Sequence, residues 1–283
     1  MQFDQLPIDE RILLGIRDAG FTECTPVQEA TFKHSLSGSD ICAQSQTGTG
    51  KTAAFLITIF QNLRNQRGKK ALIIVPTREL ATQVEKEARL LGAHLDYKIA
   101  CIYGGVGYKT QERQIKEGAN IIVGTPGRLL DFHQTRRLNF RDVGIAVIDE
   151  ADRLFDMGFI PDLKKMLRAM PPAGKRQTML FSATLSFLVK ELAWRFMNEP
   201  VEIEIAPEHI TVDTVTQELY HVSNEEKMPL LLGILSRENP RNCLILTNMK
   251  QTTEGLARRL RKHEKSSDFI NGDLPQKERL KVI

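Results

Sequence analysis

Between residues 40 and 205 the chain alternates short runs rich in branched and apolar residues with longer stretches whose apolar positions recur every three or four residues. The short runs fall at 40–43, 71–75, 98–102, 121–123, 145–148, 178–181 and 201–205. Runs this brief suit strands rather than core helices. Residues 79–91, by contrast, put Leu80, Val84, Ala88 and Leu91 on one helical face. Repeated strand–helix–strand units predict parallel strands joined by crossover helices: an α/β fold with a doubly wound parallel sheet.

The alternation pauses and then restarts. Residues 206–216 contain Pro207, several threonines and no helical period, which predicts a linker at 207–216 behind a first domain at 1–206. Beyond it, strands are expected at 218–222, 243–246 and 268–270, and helices at 227–235 and 251–260. Residues 217–283 therefore read as a second, partial α/β domain, and 283 residues suit about two domains. At 41% hydrophobic and 26% charged, the composition is that of a globular chain and excludes a disordered or fibrous one.

Several function classes drop out. No apolar run approaches the roughly 20 residues that span a bilayer, and residues 1–9 are acidic and polar where a secretory leader is basic and apolar. A cytoplasmic location with no membrane partner is expected. Cys24, Cys42, Cys101 and Cys243 form no C-x-x-C pair and read as reduced thiols, and the six histidines lack zinc-ligand spacing. A formal net charge of +4 permits a nucleic-acid partner without requiring one.

One loop carries specific chemistry. Ser45, Gln46, Thr47, Gly48, Thr49, Gly50, Lys51 and Thr52 follow an expected strand and open an apolar helix at 53–60. Glycines there let backbone N–H groups turn toward phosphate oxygens, and the helix start adds its dipole. Lys51 is expected on the β and γ phosphates and the Thr52 hydroxyl on Mg²⁺, as in a P-loop, although Ser45 stands where that pattern begins with glycine. The bland alternative is a glycine-rich turn with an incidental lysine.

A second signature favours the specific reading. The run at 145–148 delivers Asp149 and Glu150 to its carboxyl end, where open α/β sheets bind ligands. Adjacent acids there call for a cation. Asp149 is expected to hold Mg²⁺ and Glu150 to orient and deprotonate an attacking water, which together predict nucleotide hydrolysis. Alone, these acids could merely favour the positive start of the next helix.

Asp149-Glu150-Ala151-Asp152 spells a DEAD box, and the chain resembles the DEAD-box RNA helicases along essentially its whole length. The resemblance implies two RecA-like domains, ATP and Mg²⁺ as cofactors, and single-stranded or duplex RNA as partner, with a possible RNA-processing protein beside it. Residues 20–28 resemble the family's Q motif, so Gln28 is expected to read adenine and Phe21 to pack on its ring. Pro76, Thr77 and Arg78, the pair Gly104 and Gly105, and Thr125, Pro126, Gly127 and Arg128 resemble RNA-facing loops, as does Thr247 in the second domain. Ser182 and Thr184 match the motif that couples hydrolysis to strand handling. The stretch 221–232 resembles the bacterial, degradosome-associated branch. Cys24 and Ser45 replace the family's usual proline and alanine. Glycine pairs and a Thr-Pro-Gly turn suit phosphate tracking without base reading, although each loop alone would pass for a plain turn.

The family's arginine-bearing motif would lie past Ile283, so the chain is expected to be truncated in its second domain and impaired in turnover and unwinding. The competing reading is a nucleotide-gated RNA-binding or partner-docking module without turnover. A P-loop kinase leaves Gln28, Ser182 and Thr184 unexplained. The basic cluster Arg258, Arg259, Arg261 and Lys262 reads as a solvated helix face, and Phe155 with Phe159 as packing.

Overall fold

The computed structural model describes residues 1–46, 48–66, 68–205, 216, 218–263 and 265–282. Strands β1 (Ile41–Gln44), β2 (Lys70–Ile74), β3 (Ile99–Ile102), β4 (Ile121–Gly124), β5 (Val143–Ile148), β6 (Gln177–Ser182) and β7 (Val201–Glu204) form one sheet in the order β3-β4-β2-β5-β6-β1-β7. Every pairing is parallel. The order explains the near-continuous apolar strands, because a parallel sheet is covered on both faces.

Period-two alternation sorts the strand residues between two cores. Ile41, Ala43, Ile73, Val123, Val147 and Phe181 face one side. Cys42, Leu72, Ile74, Ile122, Ala146 and Leu180 face the other. Helices α1 (Glu10–Asp18), α2 (Pro26–Ser35), α3 (Lys51–Leu63) and α4 (Arg78–Leu91) cover the first face. Helices α5 (Tyr108–Lys116), α6 (Pro126–Gln134), α7 (Ala151–Asp156), α8 (Ile160–Ala169) and α9 (Phe187–Phe196) cover the second, with Phe155 and Phe159 packed against that core. This is the doubly wound α/β architecture expected from the alternation, and the RecA-like one that the resemblance implies. Helix α3 is buried and apolar through residues 53–60 apart from Thr58, so the loop before it is anchored in the core.

The chain divides into two compact units, Met1–Pro207 and Glu208–Ile283. Most of the expected linker, residues 207–215, lies outside the described residues. In the second unit the helices appear as α10 (Lys227–Glu238), α11 (Lys250–Lys262) and α12 (Gln276–Val282). The strands expected at 218–222, 243–246 and 268–270 do not form: among the described residues these segments make no ladder, and Leu244 and Leu246 are exposed. A strand exists through its partner, so β-rich composition alone does not make one. Arg258 pairs with Glu254 on the solvent side of α11.

Among the described residues, no helix is long and apolar enough to cross a membrane. All four cysteines are free, and burial pushes the Cys42 thiol up to about 11.

Helices α1 and α4 meet at Gly15, where an added Cβ would stand 2.0 Å from the Leu91 carbonyl oxygen. Overpacking against backbone costs about 1–3 kcal/mol, which outweighs the roughly 1 kcal/mol of helix propensity that alanine gains over glycine. Gly15→Ala is therefore expected to lower the denaturation midpoint, and an unchanged or raised midpoint in a denaturant titration would show that the helices separate freely.

Candidate functional site

The loop between β1 and α3 is held by one bond of its own and by groups distant in sequence. The Ser45 N–H donates to the Ser182 carbonyl at 2.9 Å, and Thr49 Oγ1 donates to the Gln46 carbonyl at 2.8 Å. From the start of α2, Thr25 Oγ1 donates to the Thr49 carbonyl at 2.7 Å and Gln28 Nε2 to the Gly50 carbonyl at 3.0 Å. Gln28 Oε1 accepts the Thr25 N–H at 2.9 Å, closing a capping box whose Pro26 begins the helix. Gly50 caps α3 at φ 88°, and a Cβ there would lie 2.5 Å from Gln28 Nε2. Both its conformation and its neighbour require glycine. Gly48 also has positive φ, while Thr47 lies outside the described residues.

Lys51, in the first turn of α3, reaches across to the end of β5. Its Nζ lies 3.2 Å from Asp149 Oδ1, with the two side chains 7% and 1% exposed. The same Oδ1 accepts the Glu150 N–H at 2.9 Å. Asp149 Oδ2 is buried with no hydrogen-bond partner, and so is Ser45 Oγ. Burial pushes the Asp149 carboxyl above its ordinary range, and the Lys51 ammonium pulls it back. A buried carboxylate with one open oxygen suits a cation. Among the described residues, however, no group of three or more His, Cys, Asp or Glu side chains is placed to hold a metal ion. A divalent ion here would draw on Asp149, the half-buried Thr52, water and a bound phosphate.

Glu150 follows with φ 50° and ψ 53°, a left-handed conformation that few non-glycine residues adopt. Asp152 ties this turn to the end of β6. Its Oδ2 accepts the Thr184 N–H at 3.1 Å and Thr184 Oγ1 at 3.3 Å, while its N–H donates to Ser182 Oγ at 3.1 Å. Lys51, Asp149, Glu150, Ser182 and Thr184 thus gather at the carboxyl ends of β1, β5 and β6. Thr25 and Asp152 lie inside the two motifs at 20–28 and 149–152, but neither motif predicts that they act as the linking residues of the site. The T-x-x-Q spacing at 25–28 signals the first as a capping box, whereas nothing in the spelling of the DEAD box signals that Asp152 reaches Thr184.

Phe21 is 37% exposed, and one side of its ring rests on Phe3 with centroids 6.3 Å apart. Gln28 is only 4% exposed.

The expected nucleic-acid loops lie at the ends of β2, β3 and β4. Pro76 is buried and Thr77 caps α4 through the Leu80 N–H at 3.2 Å. The Arg78 guanidinium lies against Gly105, and Nη2 stands 3.7 Å from where a Gly104 Cβ would be. Thr125 precedes α6, Pro126 begins it, and Gly127 is open to solvent. Arg128 does not project outward: both its terminal nitrogens donate to the Val106 carbonyl at 3.2 Å, and its guanidinium sits 4.1 Å from the Tyr108 ring centroid. Its side chain is 10% exposed, so it braces the glycine loop. Gln111 clamps the same loop through both backbone groups of Tyr103 at 3.1 Å. In the second unit, Thr247 Oγ1 lies 2.6 Å from Thr253 Oγ1 at the start of α11.

Comparison with known proteins fits this geometry. The family profile described as DEAD/DEAH box helicase matches residues 25–192, more than half of the chain. A protein of Xanthomonas axonopodis pv. citri (strain 306) named ATP-dependent RNA helicase RhlB is 43% identical over 290 residues, which cover 99% of this chain and 51% of the relative. The protein of the same name in Idiomarina loihiensis is 41% identical, covering 100% of this chain and 68% of that relative. The chain therefore spans about half the length of the Xanthomonas relative. Among solved structures, a hypothetical ATP-dependent RNA helicase from Sulfolobus tokodaii aligns with TM-score 0.64 at 39% identity, covering 70% of this chain and 57% of that one.

Removing one member of a buried ion pair leaves the other charge uncompensated, at about 3–5 kcal/mol. Lys51→Met is expected to destabilise the first unit by that order, and the double change with Asp149→Asn to recover most of it. Equal midpoints for Lys51→Met and the unmodified chain in urea titrations would show that the pair is not buried as described.

Proposed function

The chain belongs to the DEAD/DEAH box helicase family, and from that premise we propose that it binds ATP with Mg²⁺ in the first unit, hydrolyses it, and couples that cycle to binding and remodelling RNA. The observation that carries this reading is the buried Lys51–Asp149 pair with one carboxylate oxygen open, beside Glu150 and linked through Asp152 to Thr184.

The residues divide the work. Backbone N–H groups of residues 46 and 48–52 cradle the phosphates, with Lys51 on the β and γ oxygens. The exposed side of the Phe21 ring packs on adenine. Gln28 keeps one amide N–H and a lone pair beyond its bonds to Gly50 and Thr25, enough to read an adenine edge. Asp149 and Thr52 would hold Mg²⁺, which when bound neutralises phosphate charge. Glu150 takes a proton from water as the water oxygen bonds to the γ-phosphorus; the bond from phosphorus to the bridging oxygen breaks, and ADP leaves with that electron pair. Ser182 and Thr184 sense the change through Asp152.

RNA lies along the loops led by residues 76–78, 104–105 and 125–127, which offer backbone donors and one cation, Arg78, while Arg128 holds the loop's shape. Within the second unit, Thr247 is the residue expected to touch RNA. Such a surface tracks phosphates and leaves bases unread. The family resemblance, rather than any 2′-hydroxyl contact, supports RNA as the nucleic acid.

Two outcomes are expected. Glu150→Gln should retain ATP affinity within about twofold while hydrolysis with single-stranded RNA falls by a factor of about 10² or more. Hydrolysis equal in both forms would defeat the assignment, and ATP binding with no turnover in either would favour a nucleotide-gated binding module. Arg78→Ala should weaken single-stranded RNA binding and flatten the slope of log affinity against log salt by about 0.7; an unaltered slope would remove Arg78 from the phosphate path.

A further inference from the structure

We infer that Arg153 is a positioning residue for the Glu150 carboxylate, holding the base in the one orientation from which it can take the water's proton. The inference rests on the proposed role of Glu150.

Three observations converge on it. First, Glu150 occupies a left-handed backbone conformation at the N-cap of α7, so its side chain leaves the chain at an angle no regular helix would give. Its own N–H is committed to Asp149 Oδ1. Backbone strain of this kind persists only where the surroundings hold it.

Second, the Glu150 side chain is 12% exposed, and Arg153 Nη1, donating to Oε2 at 3.2 Å, is the one hydrogen bond its carboxylate receives among the described residues. Oε1 has no protein donor among the described residues. A carboxylate held by one oxygen keeps the lone pairs of the other for a proton, which is the division a general base requires.

Third, Arg153 is itself fixed at its root. Its backbone N–H donates to Asp152 Oδ1 at 3.0 Å, while Asp152 Oδ2 holds Thr184. The guanidinium therefore springs from the same turn that links the ends of β5 and β6. A change transmitted through Thr184 and Asp152 would move the tether and, with it, the base. The Arg153 side chain is 60% exposed, so the pair adds little to stability and its value lies in orientation.

The test compares Arg153→Ala, Arg153→Lys and Arg153→Gln with the unmodified chain, using Glu150→Gln as the blank, in ATP hydrolysis with single-stranded RNA. Affinity for a fluorescent ATP analogue and thermal midpoints are measured alongside. Loss of the tether should lower kcat about tenfold, since small misplacement of a reacting group is costly. KM, analogue affinity and the thermal midpoint should stay unchanged, and lysine should rescue more than glutamine. Unchanged kcat in Arg153→Ala would overturn the inference, as would a fall in affinity or thermal midpoint that accounts for the lost rate. An unmodified chain no faster than Glu150→Gln would instead overturn the assignment of Glu150, and the inference with it.

Discussion

The ion pair between Lys51 and Asp149 is the interaction on which the rest of the first unit's site depends. Burying a carboxylate raises its free energy steeply, and the ammonium 3.2 Å away offsets only part of that. The pair spans the strands β1 and β5, which the sheet order separates by β6. It thereby requires the phosphate loop and the acidic turn to face one another across the carboxyl end of β6, where Ser182 sits. What the pair leaves open, Asp149 Oδ2, is as informative as what it closes.

The loops of the first unit are braced by hydrogen bonds from polar side chains to backbone. Gln28 and Thr25 reach the loop from α2, Asp152 reaches Thr184 from α7, and Arg128 and Gln111 shape the glycine loop beyond β3. Each is a polar side chain satisfied by backbone, which fixes geometry more firmly than a contact between two flexible side chains. Such preorganisation lets a phosphate or a water meet donors already aimed at it.

Much of this was legible in the chain itself. The seven strands, the glycine turns at 48 and 50, and the placement of Lys51, Asp149 and Glu150 follow from local pattern, because period and turn chemistry act within a few residues. Other features were not. The bracing role of Arg128 and the link from Asp152 to Thr184 depend on groups brought together from afar, and no spacing rule encodes them; the left-handed turn at Glu150 is local but departs from what a non-glycine residue ordinarily adopts. The expected strands of the second unit failed for a related reason: β propensity is local, whereas a ladder needs a neighbour. The basic face of α11 was read correctly because a helical ion pair is local.

The central claim is that Lys51 and Asp149 form one half of a site that nucleotide and Mg²⁺ complete. Its most direct test is calorimetric titration of ATP into the unmodified chain and into Asp149→Asn, each with excess Mg²⁺ and with EDTA. The account predicts an affinity at least about tenfold higher with Mg²⁺ for the unmodified chain, and little or no Mg²⁺ dependence once the carboxylate is gone. Equal affinity with and without Mg²⁺ in the unmodified chain would contradict it.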